Sequence, residues 1–191
     1  MEKISLGPST LVYPMPAFLV GANVNGNPNV LTVAWGGIAC GTPPMVSLAI
    51  HHKRYTLKGI QETGTFSVNV PSRDMVEQTD YCGMVSGSKT DKISKCGFSI
   101  FYGKLLTAPM ISQCPVNLEC KMTQILDLGS HLLVVGEIVD TFTSEEYLTD
   151  GRPDVSKIDP LVYTSGCASA YQTLGEQLAL AFKIGKVLKN S

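Results

Sequence analysis

The stretch VLTVAWGGIACGTPPMVSLAIHHKRYT, residues 30–56, contains two apolar runs separated by a segment rich in Gly and Pro. Val, Ile and aromatic residues favour strands, whereas Gly and Pro favour turns. The pattern predicts strands over 30–35 and 45–51, joined by a bend at GGIACGTPP. The chain's first adjacent cations, Lys53 and Arg54, follow the second strand. Their position indicates an anion-binding turn at the end of a strand pair.

Each of these two strands divides into a bulky face and a small one, because successive side chains point to opposite sides of a strand. Thr32 and Ala34 share the small face of the first strand, and Ser47 and Ala49 share that of the second. Small side chains leave room for a flat ligand, and hydroxyls can hydrogen-bond to it. The alternative is a half-exposed sheet that tolerates these hydroxyls. Trp35, the chain's one Trp, can anchor a core or interface as well as flank a ligand.

The sequence around these strands is free of acidic residues. After Glu2 the next acidic residue is Glu62, so no nearby carboxylate in sequence opposes an anion beside the Lys53–Arg54 pair. Thr56 is a plausible N-cap for a short helix ending before Gly64, and the N–H groups of that helix would face the same anion. We interpret the cluster as a phosphate site; a core sheet without a ligand is the alternative.

Length and composition exclude several classes of protein. At 191 residues the chain fits one domain over residues 1–191. A charged fraction of 16% with 44% hydrophobic residues predicts surface buried in an oligomer, and a net charge of −1 argues against nucleic-acid binding. The chain has no long unbroken apolar run, which predicts no membrane association and a cytoplasmic location. Six cysteines without a C-x-x-C pair indicate free thiols and no metal site.

The rest of the chain is rich in strand patterns and poor in helices. Further strands are predicted over 17–24 and 65–70, an antiparallel hairpin over 116–126 and 131–142, and a short hairpin in PLVYTSGCASAYQTLG; the tail 175–189 has an amphipathic helical pattern. Hairpin connections between many strands are typical of a closed or partly open antiparallel barrel.

Several motifs occur together in a fixed order: T-x-x-W, P-P, R-x-T-x-x-x-I and F-x-V-N-V, followed by SGSKTDK and SHLLVVGEIVD. Over about residues 10–172 the chain resembles the flavin reductase-like, FMN-binding split-barrel family, and especially its flavoredoxin members. The resemblance implies a mainly β fold, a Greek-key split β-barrel with a few short peripheral helices. It also implies a homodimer that binds FMN near the subunit interface.

The same resemblance implies which residues contact the cofactor. Those along the flavin are Asn29, Thr32, Val33, Ala34, Trp35 and Cys40, and those from the next strand are Ser47, Leu48 and Ala49. The phosphate and ribityl end would contact Lys53, Arg54 and Thr56, with Lys92 reaching in from a polar loop. His131 would lie near the place where a nicotinamide stacks. No side chain is predicted to act as a catalytic acid or base.

Three functions remain open from the sequence. The first is electron transfer through FMN with NAD(P)H as donor. The second is an electron carrier that exchanges electrons with a redox protein partner and lacks a nicotinamide site; the segments GSH and GEI stand where true reductases of the family commonly have G-D-H and G-R-V. The third is a barrel that binds a phosphorylated metabolite without redox chemistry.

Overall fold

The structure is a computed structural model that describes residues 1–189, and it is built mainly of β-strands with short helices. The strands are β1 Met15–Pro16, β2 Phe18–Val24, β3 Asn27–Val33, β4 Gly36–Gly41, β5 Pro44–His51, β6 Thr65–Val70, β7 Ile100–Phe101, β8 Met110–Ile111, β9 Val116–Asp127, β10 His131–Thr143, β11 Leu148–Thr149, β12 Arg152–Pro153, β13 Val162–Thr164 and β14 Ala170–Gln172. The helices are α1 Tyr55–Thr63, α2 Val76–Met84, α3 Lys92–Lys95 and α4 Val155–Ile158, with 3-10 helices at Arg73–Met75, Glu145–Tyr147 and Ile184–Lys189. The prediction of a mainly β fold is confirmed.

Within residues 1–189 the largest sheet has seven strands in the order β3-β2-β6-β9-β10-β5-β4, and all neighbouring strands are antiparallel. Strand β3 lies at one edge, yet Trp35, two residues beyond it, accepts a hydrogen bond from the backbone N–H of Ala49 on β5 at 2.7 Å. The chain between β3 and β4 therefore brings the two ends of the sheet together.

Strand β5 has one face packed into the core and an opposite face that is open to a ligand. Val46, Leu48 and Ile50 are buried in the core, while Ser47 and Ala49 on the opposite face are half-buried. The alternation predicted from the sequence is confirmed for this strand. Bulky β-branched and aliphatic side chains thus fill the interior, and the small side chains line the outside.

Buried apolar side chains form two clusters in the described part of the chain. The first fills the sheet's interior and includes Val20, Leu48, Ile60, Phe66 and Val134. The second lies under α2 and the segment after it, and its members are Leu19, Val30, Met75, Cys82, Phe98, Ile111 and Cys114. The cleft described below opens where β3, which contributes to both clusters, meets α2.

Three local predictions differ from the structure. The GGIACG part of the predicted bend is strand β4, because its backbone pairs with β5 from Gly36 to Gly41. Thr56 is not the N-cap of α1; Arg54 takes that position with extended φ and ψ, while Gly64 ends the helix in the left-handed region as expected. The tail forms an exposed 3-10 turn at Ile184–Lys189 and not a continuous helix over 175–189.

The other strand predictions are confirmed within a few residues. Strand β6 has the predicted bounds, β9 and β10 form the long hairpin, and β13 and β14 form the short one. Among residues 1–189, no helix has both the length and the apolar character that crossing a bilayer requires.

Candidate binding site

The N-terminus of α1 forms one end of the site. Its first turn reads YTLK and contains no acidic residue, so no carboxylate there offsets the partial positive charge of the helix N-terminus. Within residues 1–189, the N-cap residue Arg54 makes no side-chain capping bond. Backbone N–H groups at such a terminus can bind an anion.

Thr56 and Asn29 join α1 to β3 beneath this terminus. The Thr56 hydroxyl donates to Oδ1 of Asn29 at 2.8 Å, and both residues are buried. Gly87, in the loop after α2, packs closely against the side-chain amide of Asn29. A Cβ at Gly87 would stand 1.9 Å from Nδ2 of Asn29, so a larger residue would clash there. Three segments distant in sequence therefore meet at one point.

Two cations hold the C-terminal end of α2 at the same place. Arg54 donates from Nη1 to the carbonyl oxygen of Gly83 at 2.9 Å, and Lys92 donates from Nζ to the carbonyl oxygen of Cys82 at 2.8 Å. Lys92 also donates to the carbonyl of Val30 at 2.8 Å and is only 3% exposed. Cations are favourable here because the last carbonyls of a helix lack partners within the helix and carry partial negative charge.

These cations surround a small cavity of about 50 Å³ between α1 and the loop after α2. Its polar lining comes from Lys53, Arg54, Thr56, Ser86 and Lys92. Burial lowers the pKa of Lys92, and the nearby charge of Arg54 lowers it further. A buried ammonium next to a second cation is a setting in which an anion is stabilising.

A larger cleft of about 240 Å³ lies beside the small cavity, and Arg54 lines both. The end of β3 and the residues after it contribute Thr32, Val33, Ala34 and Trp35, while β5 contributes Ala49. The hydroxyl of Thr32 is occupied by a hydrogen bond to the carbonyl of Thr79 on α2. The paired cavities suit a ligand with an anionic end and a flat apolar ring.

Three aromatic rings stand at the opening of the cleft. The ring centroids of Trp35 and His131 are 4.7 Å apart, and those of His51 and His131 are 5.2 Å apart. His51 and His131 face each other across the β5–β10 pair. Burial, followed by the charges of His51, His52 and Arg54, holds the pKa of His131 below its ordinary value. His131 therefore favours its neutral form, which presents a flat uncharged ring.

The far wall of the cleft comes from the β13–β14 hairpin. Tyr163 and Tyr171 line the cleft, with ring centroids 5.9 Å apart. The hydroxyl of Tyr171 donates to Oδ1 of Asp80 on α2 at 3.2 Å, which fixes the hairpin against that helix. Burial and then the Asp80 carboxylate raise the pKa of Tyr171 to about 12, so the phenol keeps its proton.

Comparison with known proteins identifies the family to which this fold and site belong. A sequence model described as the flavin reductase like domain matches residues 10–172. The chain belongs to the flavin reductase-like family. An uncharacterized protein of Archaeoglobus fulgidus is 34% identical over 145 residues, which cover 76% of this chain and 81% of that protein.

Solved structures of the family share the whole fold. The crystal structure of flavoredoxin from Methanosarcina acetivorans is 43% identical, covers 98% of this chain and 100% of that one, and superposes with a TM-score of 0.94. Flavoredoxin of Desulfovibrio vulgaris (Miyazaki F) is 36% identical, covers 96% and 100%, and gives a TM-score of 0.89. An FMN-binding protein from Thermus thermophilus at 22% identity, covering 94% and 99%, gives 0.77 and is similar in fold. The split-barrel prediction is confirmed.

Eleven of the fourteen residues that the family resemblance assigned to the site lie at the two cavities or bond directly to them. Those at the cleft are Thr32, Val33, Ala34, Trp35, Ala49, Arg54 and His131, and those at the small cavity are Lys53, Arg54, Thr56 and Lys92. Asn29 lies beneath the small cavity and bonds to Thr56. Their contact with a flavin stays a prediction.

Three other assigned residues lie elsewhere on the β4–β5 hairpin. Cys40 is near its turn, with Sγ 3.4 Å from the carbonyl of Thr42, and the hydroxyl of Ser47 donates to the carbonyl of Gly37 at 3.4 Å. Leu48 is wholly buried in the first core cluster. None of the three lines either cavity as formed by residues 1–189. Any contact they make with a flavin stays a prediction as well.

Sequence reasoning missed seven residues that line the cleft: Ala17, Leu31, Ile50, His51, Gly83, Tyr163 and Tyr171. His51 lies two residues after Ala49 and therefore on the same small face of the strand 45–51, which is a usable signal. The two tyrosines come from a hairpin more than one hundred residues further along the chain. No local pattern connects that hairpin to the first strands.

Proposed function

We propose that this chain is an FMN-binding flavoprotein that transfers electrons through its bound cofactor. The observation that carries the proposal is the pairing of two cavities, one with three cations at a helix N-terminus and one lined by flat and small side chains. The 43% identity to a flavoredoxin over nearly the whole chain supports it independently.

The residues present fit the two ends of FMN. Lys53, Arg54 and the first N–H groups of α1 would hold the phosphate, since cations and oriented amides form charge-assisted hydrogen bonds with it. Thr32, Ala34 and Trp35 would line the ring. Bound FMN would supply the redox chemistry, while the chain orients it and limits its exposure to water.

Electron donation from NAD(P)H is the second element of the proposal. The neutral ring of His131, tilted by 35° against that of Trp35, offers an uncharged surface for a nicotinamide at the opening of the cleft. Anaerobic addition of NADH or NADPH to the FMN-loaded protein tests it. Rapid bleaching of the yellow colour of the oxidised flavin is expected. Reduction by dithionite but by neither nucleotide would contradict a nicotinamide donor and leave the carrier function.

Removing the two exposed cations tests the cofactor site. We expect Lys53→Ala/Arg54→Ala to raise the Kd for FMN by about one to two orders of magnitude, since each charge-assisted bond is worth about 1.5–3 kcal/mol before solvent screening. Fluorescence titration with FMN measures it. Lys121→Ala/Arg152→Ala removes the same charge from two exposed positions outside both cavities and is the matched control. Equal affinities for the two double variants would contradict the proposed phosphate site.

We infer a homodimer as the working form. The support is apolar surface next to the cleft: Trp35 is 40% exposed and Ile38, on the edge strand β4 of the described sheet, is 74% exposed. Burial of such side chains against a second copy is favourable. A single domain over residues 1–191, a cytoplasmic location and exchange with a redox protein partner stay predictions.

A further inference from the structure

Two cysteines that the proposed function does not use lie close together behind the small cavity. Sγ of Cys82 on α2 is 3.9 Å from Sγ of Cys96, the residue that ends α3. A disulfide has an S–S distance of about 2.05 Å, so a shift of roughly 2 Å would join them.

The two thiols differ in access. Cys82 is wholly buried, whereas Cys96 is half-buried and lines a groove of about 260 Å³ with Gln78, Tyr81 and Lys95. A small reactant can therefore reach the thiol of Cys96 from solvent, whereas the thiol of Cys82 is shielded behind it. Burial raises the pKa of the Cys82 thiol to about 12 and also raises that of Cys96, so both are protonated near neutrality and react slowly.

Cys82 and Cys96 belong to backbone segments that form hydrogen bonds with the cations of the small cavity or with their main chain. The carbonyl of Cys82 accepts from Lys92, and the carbonyl of the next residue, Gly83, accepts from Arg54. On the other side, the backbone N–H of Cys96 donates to the carbonyl of Lys92 at 3.0 Å. Drawing Cys82 and Cys96 together would therefore move the anchors of Lys92 and Arg54.

We propose that Cys82 and Cys96 form a reversible disulfide with a hydroperoxide as oxidant, and that the disulfide lowers the affinity of the neighbouring cavity for FMN. With hydrogen peroxide, the Cys96 sulfur attacks one oxygen and becomes a sulfenic acid, and the first water leaves. The Cys82 sulfur then displaces the hydroxyl from that sulfenic acid, and the second water leaves. Two thiols lose two electrons, and the peroxide gains them. The affinity half of the proposal rests on the proposed function.

Peptide mapping tests the disulfide on the full chain. The protein is reduced, desalted, treated with one equivalent of hydrogen peroxide and digested with trypsin without reductant. Lys89, Lys92 and Lys95 lie between the two cysteines, so trypsin separates them unless they are cross-linked. A joined peptide pair that dithiothreitol separates is expected. Oxidation confined to other cysteines would overturn the proposal.

Two variants make the mapping specific. Cys96→Ser should abolish the joined peptides, whereas Cys167→Ser, which removes the exposed thiol of the β13–β14 turn, should leave them. Persistence of a cross-link to Cys82 in Cys96→Ser, through Cys114 for example, would overturn the assigned pairing.

FMN titration tests the coupling. The oxidised protein should bind FMN at least about fivefold more weakly than the reduced protein, the lower range of ordinary coupling between sites, and dithiothreitol should restore the affinity. Peroxide should leave the affinity of Cys96→Ser unchanged. A cross-link with unaltered affinity would overturn the coupling. If the reduced protein binds no FMN, the proposed function fails and the coupling fails with it, while peptide mapping still decides the disulfide.

Discussion

Lys92 is a single charged residue that joins two elements of the fold from a buried position. The polar loop SGSKTDK gives it the sequence context of a solvated lysine, yet its ammonium lies on two backbone carbonyls and is almost fully buried. Only the family resemblance pointed to a site role, because the carbonyls that receive it belong to β3 and α2. A sequence pattern records the type of a residue but not the partners that the fold brings to it.

His131 gives a pH-dependent prediction. Its pKa is held below the ordinary value of about 6.5, so between the two values the unfolded chain binds more protons than the folded one. Stability therefore falls as the pH decreases from about 6.5 toward the lowered value. We expect His131→Gln to reduce this fall, measured as the free energy of unfolding in urea from pH 8 to pH 5. Imidazole NMR should place the His131 midpoint below 6.5. A midpoint at or above that value would contradict the prediction.

At the scale of elements, α1 depends on a close approach to β2. A Cβ at Gly59 would lie 2.3 Å from the backbone carbonyl oxygen of Asn23, and backbone cannot give way as a flexible side chain can. Alanine in an exposed helix interior is favoured over glycine by about 1 kcal/mol, so propensity alone predicts a gain in stability from Gly59→Ala. We expect a loss, because the helix that presents Arg54 and Thr56 would be pushed off the sheet.

Chemical denaturation measures this effect, and Gln61→Ala on the exposed side of α1 is the control. The control should change the free energy of unfolding by no more than about 0.5 kcal/mol. Gly59→Ala should lower both the midpoint and the affinity for FMN. A Gly59→Ala variant as stable as the unmodified protein would show that α1 is free to shift.

Elements that depend on contacts between residues close in sequence could be predicted, whereas those that depend on contacts between distant residues could not. The strands around residues 46–50 and 65–70 follow from local alternation and β-branched content, and they were predicted nearly to the residue. Strand β4 was predicted as a bend, because GGIACG is dominated by glycine and gains its extended form only by pairing with β5. The N-cap of α1 differs for a similar reason: the Thr56 hydroxyl bonds to Asn29 across the fold.

At the scale of the whole molecule, the exposed edge strand β4 predicts the oligomeric state. Unpaired strand edges with large apolar side chains pair or pack readily with another chain. Sedimentation equilibrium should give twice the 20.5 kDa of one chain. Ile38→Asp should shift the mass toward one chain, while Val155→Asp, at an exposed apolar position on α4, should not. A native monomer, or a folded Ile38→Asp variant that stays dimeric, would contradict this interface.

The cleft itself could be predicted only in part, because it is a property of the assembled chain. Its near side follows from residues 30–56, where alternation, missing acids and adjacent cations occur together. Its far side comes from Tyr163 and Tyr171, which reach the cleft through the bond between Tyr171 and Asp80. Physical arguments from periodicity do not extend across such a separation.

The carbonyl anchors at the end of α2 have a consequence for the strength of ligand binding. Arg54 and Lys92 each donate to a main-chain oxygen of α2, which holds the two like charges in fixed positions beside the small cavity. Side chains fixed in this way lose little conformational freedom when a ligand binds, so the two tethers favour tight binding of a phosphate dianion.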